Sequence, residues 1–533
     1  MKTDVFANRA MALVSGFFLA ATGVAGLPAV AVAEDDPLIV NMAQAPATLD
    51  PAWGCGIVEV GFVQNFYVRL TQYGSKPGPD GTTEIDVSKI EPYLATSWEI
   101  SDDGLVYTYQ LRDDVKFASG RPVTAEDVKY SWERVLTMNG CGAFVILDGF
   151  YDPPLIAALE TPDPYTLVVK LSRPDPNLLQ LHAQPWTSVV DRDVVEANGG
   201  IQANSLNEWM SANVTGPGPF ILEEYLPNER AVLVANPDFP IQPASSKIII
   251  SFINSDPTLL LQARGGEADV TLGMTKASVA SLSDNPDVRI IANDHAISEQ
   301  IGLPNTKSPW DNVKVREAVS YAVPYEEILE SAAFGYGTLF GGPFMPTLGE
   351  FTEGLIDIPT FDMDKAMSLM AESGVATPID VDLNIPEGNT IEEQIATIIQ
   401  ATWRPLGINV NINKLSATDY IDSLQAHTAQ TYIRLDGPGV PEAGYFLGYD
   451  MTCGLQFNLT EVCLEDAQML LEEARGTIDD AKRQALYDEI ARIWSANTPK
   501  IHVYSDKHTT VLSSRVTDYH FNYEMDFRLW AKN

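Results

Sequence analysis

Residues 91–136 read EPYLATSWEISDDGLVYTYQLRDDVKFASGRPVTAEDVKYSWERVL, and the reading of this stretch decides the fold. Ser101, Asp102, Asp103 and Gly104 form a turn sequence, because the short polar side chains bond their own backbone and glycine accepts positive φ. Beyond the turn, Leu105, Tyr107, Tyr109 and Leu111 alternate with Val106, Thr108 and Gln110, the period of two of a half-buried strand. Gly120, Arg121 and Pro122 interrupt the chain. Thr124 is then placed to cap a helix, with Asp127 three residues on as in a capping box. Val128, Trp132, Val135 and Leu136 recur at helical spacing and form its buried stripe. A strand and a helix of opposite period therefore follow each other directly.

The same mixture extends outward. Leu38, Ile39 and Val40 read as a strand at the start of the mature chain, and residues 231–234, 247–252 and 408–412 are strand-like. Asp362 caps a helix with Met363, Ala366, Met367 and Met370 on its apolar face, ended by Gly374. Asp479 opens another, with Leu486, Ile490 and Ile493 on one side. The fold class is α/β or α+β. With 533 residues, the chain exceeds one hydrophobic core and implies two or three domains. There is no fixed-period repeat, low-complexity tract or long linker, so a few strands are expected to cross between domains.

The chain has 34 Lys and Arg against 72 Asp and Glu, a net charge of -38, which argues against nucleic acid or an anionic membrane as partner. Lys2 and Arg9, the apolar small-residue stretch from Ala10 to Val24, and Ala31, Val32 and Ala33 before an acidic run make a signal peptide over residues 1–33. Its interruption by Gly16, Gly23, Gly26 and Pro28 argues against a membrane anchor. No cysteine near the cleavage site offers a lipid attachment, so the mature chain is expected to be soluble and exported. Its four cysteines, Cys55, Cys141, Cys453 and Cys463, meet an oxidising compartment. Three pairings are possible. The spacing of Cys453 and Cys463 invites a local bridge, leaving Cys55 to Cys141. A zinc site lacks both a C-x-x-C and a neighbouring histidine.

Catalytic signals are missing. The six histidines form no metal-binding pattern, and no nucleophile elbow, phosphate-binding loop or dinucleotide fingerprint occurs. Asp102 with Asp103 and Asp113 with Asp114 are paired carboxylates at turns and read as solvated. Trp98 and Trp132 fall in regular elements and read as core. Trp53, Trp186 and Tyr445 fall in loops beside Gly, Pro or Gln, where aromatic side chains can line a ligand cleft.

The stretch over residues 91–136 resembles the signature region of the family 5 extracytoplasmic solute-binding proteins, the peptide- and nickel-type receptors of ABC importers. TGPGPFILEEYLPNERAVLVANPDF at 215–239, ARGGEADV at 263–270, NTKSPWDNVKVREAVSYAVPYEEI at 305–328, IQATWRPLGINVNI at 399–412 and LYDEIARIW at 486–494 resemble later segments of that family, in order. The resemblance implies a two-lobed periplasmic-binding-protein fold. It places residues 34–85, 205–295 and 508–533 in the first lobe, 86–204 in an extra subdomain of that lobe, and 296–507 in the second. It implies capture of a peptide-like, opine-like or oligosaccharide-like solute by hinge closure, and delivery to a membrane permease in the periplasm, by a monomer without cofactor or metal. A receptor feeding a sensor shares the fold, and a secreted hydrolase is the rival without a nucleophile to support it.

The family's peptide binders hold the peptide amine with an acid in a second-lobe loop. Here the matching stretch is DGPGVPEAGYFL, residues 436–447, which aligns Gly439 with that acid and Ala443 with a usual proline. Asp436 is the candidate to hold a cation from a shifted position, and Arg434 to pair an anionic group. Trp53 and Tyr445 are expected to cover the ligand from opposite lobes.

Overall fold

Thr124 opens the helix Ala125–Met138 with a complete capping box. The Asp127 carboxylate accepts from the Thr124 N–H at 2.9 Å and from its hydroxyl at 2.8 Å. Such a cap contributes about 1 kcal/mol. Val128, Trp132 and Val135 are buried on the face expected. Leu136 is only half-buried, because Ser131, Arg134 and Met138 share the inner face. The helix packs on a four-stranded antiparallel sheet, in order Ala95–Ile100, Val106–Leu111, Thr166–Leu171, Ile156–Asp163. Tyr107 pairs with Val169 and Tyr109 with Leu167, and Tyr107, Tyr109 and Leu111 point into one apolar core. Trp98 packs half-buried against that core.

The computed structural model describes residues 36–143, 153–522 and 525–533; the signal peptide expected at 1–33 lies outside them. Among the described residues, an eleven-stranded mixed sheet runs in the order Ile408–Leu415, Ile379–Pro386, Thr431–Asp436, Val288–Gly302, Lys500–Ser513, Val270–Leu272, Leu38–Met42, Lys247–Phe252, Arg230–Ala235, Phe220–Leu226, with Gly337–Thr338 added against Lys500–Ser513. The mixed α/β class is as expected.

Two strands carry the chain across this sheet. Val288–Gly302 and Lys500–Ser513 pair antiparallel from Val288 with Ser513 to Gly302 with Lys500, and the register shifts between Asp294 and Ser298. Different cores form toward the two ends. One gathers Leu38, Val40, Ile248, Leu512 and Trp530; another gathers Ile301, Trp310, Ile399, Ile433 and Val503. A bulge locally disrupts the strand that carries it, and this one lies between Ile291 of the first core and Ile301 of the second.

Local details correct two expected helix faces. In Met363–Glu372 the buried residues are Ala366, Leu369 and Met370, while Met367 is exposed, because the i, i+3, i+4 stripe starts at Ala366. Asp362 accepts from the Lys365 N–H at 2.9 Å, and Gly374 takes φ +70° just past the end. In Asp480–Asn497 the inner face is Tyr487, Ile490, Ala491 and Trp494, with Leu486 and Ile493 at its edges.

Candidate functional site: a cavity between two cores

Asp50 begins one wall of the site. Its carboxylate lies at the start of the turn 50–53, fully buried, and takes both terminal nitrogens of Arg134 at 2.8 and 2.5 Å. Burial opposes the Arg134 charge, but Asp50 more than restores it and raises the guanidinium pKa. The same carboxylate accepts from the Ala52 N–H at 3.0 Å. Downstream, Cys55 is bonded to Cys141 and the Trp186 Nε1–H donates to the Gly54 carbonyl at 2.8 Å. An ion pair, a disulfide and an indole thus pin residues 50–56 to the end of the Ala125–Met138 helix. Gly56 then starts the helix Ile57–Val63.

That helix faces a cavity of about 580 Å³. Ile57, Val60 and Gln64 line it from the helix, and Arg69, Gln72 and Tyr73 from the chain that follows. Asp526, Arg528 and Leu529 close it from the C-terminal end. His295, Ala296 and Ile297, at the irregular point of the crossing strand, and residues 435–439 with Pro441 close it from the other side. Gly437 is required there: a Cβ would lie 2.1 Å from the Ala296 carbonyl oxygen and 3.0 Å from the Ile297 Cα. The cavity-side loop therefore rests directly on the irregular stretch of the crossing strand.

The polar wall is organised around Tyr93. The Arg528 guanidinium lies 4.9 Å from the centre of its ring and that of Arg69 5.9 Å. Arg528 forks onto Asp526, with Nε to Oδ1 at 2.8 Å, and donates to Gln72 Oε1 at 3.0 Å. Burial alone would raise the Asp526 pKa, but Arg528 overrides it and holds the carboxyl at about 2. Arg69 donates to Gln64 Oε1 at 3.4 Å. His295 is held neutral, its pKa lowered to about 3 by burial and then by His508. Among the described residues no three His, Cys, Asp or Glu side chains are grouped to hold a metal.

Of the candidate residues, Trp186 and Asp436 lie on the cavity lining, as does Cys55. Asp436 is paired with Arg434 at 3.1 Å, and Arg434 itself is off the lining. Trp53 and Tyr445 do not cover the cavity. Trp53 turns its ring onto the Gly140 backbone, within a cluster containing Ala52, Val135 and Met138. Tyr445 is not in a loop: Glu442 accepts from its N–H at 2.9 Å and caps the helix Ala443–Met451. Its ring is buried with Val440 in the same core as Val60, Tyr107 and Trp186. The 436–445 segment thus touches the opposite core through Val440 and Tyr445, behind the cavity lining. Cys453 is bonded to Cys463, the second of the pairings that the sequence left open.

Sequence reasoning missed Gln64, Arg69 and the pair of Asp526 with Arg528. Asp526, Phe527 and Arg528 carry no motif. The Glu442 cap after Pro441 was a signal that could have moved Tyr445 onto a helix.

A cavity between two cores, spanned by crossing strands with an irregular stretch beside it, is the arrangement of a two-lobed solute-binding protein. The chain matches the bacterial extracellular solute-binding proteins, family 5, over residues 89–457, and it belongs to that family. It is 28% identical to heme-binding protein A of Haemophilus influenzae, over 67% of this chain and 66% of that protein. It is 26% identical to di/tripeptide-binding protein 2 of Pseudomonas aeruginosa, over 88% and 89%. Its fold matches the periplasmic binding protein DppA of Helicobacter pylori, solved in complex with the peptide STSA, with a TM-score of 0.80 and 22% identity over 93% of this chain and 98% of that one.

Proposed function

We propose that this chain is the solute-capturing component of an ABC importer, exported to the periplasm and working as a monomer. It takes a peptide-like, opine-like or oligosaccharide-like solute between its lobes and presents the closed form to a membrane permease. The observation that carries this reading is the cavity of about 580 Å³ between the first core and the 435–441 loop. No helix of the described residues is long and apolar enough to cross a membrane, which fits a receptor that leaves transport to a partner. The relatives named for heme and for di- and tripeptides support an organic solute of that size.

In this reading the first lobe comprises residues 34–85, 205–295 and 508–533, with 86–204 as its added subdomain, and 296–507 form the second. The crossings at 295–296 and 507–508 fall at the strand irregularity, where Asp294 pairs with Lys507. Closure there brings Asp436 and Gly437 toward Ile57 and Arg528. Solute binding favours the closed state by its contacts to both lobes, and no bond of the solute is broken.

Native mass spectrometry of the purified mature chain, paired with small-angle scattering, tests the proposal. A retained small solute, released unchanged, and compaction on rebinding are expected. A product that accumulates with protein concentration, or scattering that is the same with and without bound solute, overturns it.

A further inference from the structure

Four large aliphatic side chains keep nearly half their surface uncovered while facing the cavity: Ile57 at 45%, Ile241 at 47%, Leu435 at 43% and Leu529 at 45% exposure. Single exposed aliphatic residues are ordinary, but four lining one void give it a markedly apolar face. They come from four separate parts of the chain and from both sides of the cleft. Ile57 also lines a second chamber of about 260 Å³, together with Met42, Leu272, Phe521 and Trp530. The two chambers share Ile57, His520 and Asn522, so they adjoin at that isoleucine. Opposite in character is Gln64, 4% exposed, whose Nε2 has no hydrogen-bond partner among the described residues although it lines the main cavity. A buried donor of this kind takes its acceptor from an ordered water or from a bound solute.

We infer that the solute is amphiphilic: a bulky aliphatic or aromatic group lies against Ile57, Ile241, Leu435 and Leu529 and extends past Ile57 into the second chamber, while an oxygen acceptor of the same molecule takes the Gln64 amide. This rests on the receptor reading and narrows it, because an oligosaccharide has no group to cover the aliphatic surface.

The test begins with the solute retained by the full mature chain, identified by native mass spectrometry. A molecule with a branched or aromatic apolar group supports the inference; a sugar or another solute without one overturns it and leaves the receptor reading intact. A chain that comes out empty is titrated by calorimetry with N-acetyl-glycyl-glycine, N-acetyl-alanyl-alanine, N-acetyl-leucyl-leucine and maltotriose. Affinity should rise by at least about tenfold from the glycine to the leucine probe, the scale of methylene discrimination in an apolar pocket. Ile57→Asn should remove that rise, and Ile358→Asn, at a residue 50% exposed outside the cavity, should leave it unchanged. A flat or falling series, tighter binding of maltotriose, or an unchanged series in Ile57→Asn overturns the inference. Binding of none of the probes overturns it as well, and if scattering then shows no compaction with any of them the receptor reading falls with it.

Discussion

Replacing Asp50 by Asn tests the anchoring of the cavity wall through one buried charge. Asp50 is 0% and Arg134 1% exposed, and their two hydrogen bonds hold residues 50–56 against the Ala125–Met138 helix. Asn keeps an oxygen for the Ala52 N–H, so the substitution removes the charge and one Arg134 contact while leaving the local turn intact. A guanidinium left buried without its carboxylate costs about 3–5 kcal/mol. The second variant, Asp50→Asn with Arg134→Met, removes both charges. It should recover most of the loss, ending within about 1–2 kcal/mol of the wild type, because the apolar side chain restores packing and only ordinary hydrogen bonds are gone. Urea unfolding of the mature chain, followed by tryptophan fluorescence, measures both. A single variant within 1 kcal/mol of the wild type, or a double variant as unstable as the single, would refute the claim that this ion pair anchors the wall.

Other outcomes follow from the same site. Gly437→Ala sets a methyl 2.1 Å from the Ala296 carbonyl oxygen, so the loop must move; solute affinity should drop at least tenfold with unchanged circular dichroism, and unaltered affinity would disprove the contact. Glu350 is pushed up to about 8 by burial and then by Glu442, so the folded chain holds a proton that the unfolded one releases above its ordinary 4.5. Its contribution is complete below about pH 4.5 and is lost as pH rises through 8; the stability difference between wild type and Glu350→Gln should therefore change over that window, and a constant difference counts against it. Free-amine di- and tripeptides should bind no tighter than their acetylated forms, since the position of the usual amine-binding acid is Gly439 and Asp436 is already paired with Arg434. Micromolar calorimetric binding that disappears on acetylation would show that a cavity carboxylate holds the amine.

Features written within a few residues were legible from the chain. Thr124 and Asp127 form their capping box because the two side chains meet only through the first turn. Tyr107, Tyr109 and Leu111 face inward because strand period alone sorts them. The Asp362 cap and the Gly374 ending are equally local. Gly439, the position without a carboxylate, does line the cavity. The loop aromatics divided differently: Trp186 reaches the cavity, while Trp53 covers Gly140 and Tyr445 packs behind the cavity lining. Neighbouring Gly, Pro or Gln does not say where a ring points: Tyr445 lies buried on a helix, and the direction of each ring depends on neighbours far away in sequence.

The order of strand and helix signals, the charge, the missing catalytic groups and the resemblance over the signature region determined by themselves a two-lobed solute-binding protein of mixed α/β class. Which side chains line the cavity was decided only by the tertiary structure. Arg528 reaches Gln72 across a sequence separation of 456, and Ile57 and Leu435 face one void because two crossing strands bring their ends of the sheet together. Hydrogen bonds and apolar burial act at a few ångströms in space, so a pattern read along the chain carries their local part and is silent on partners joined by the fold alone.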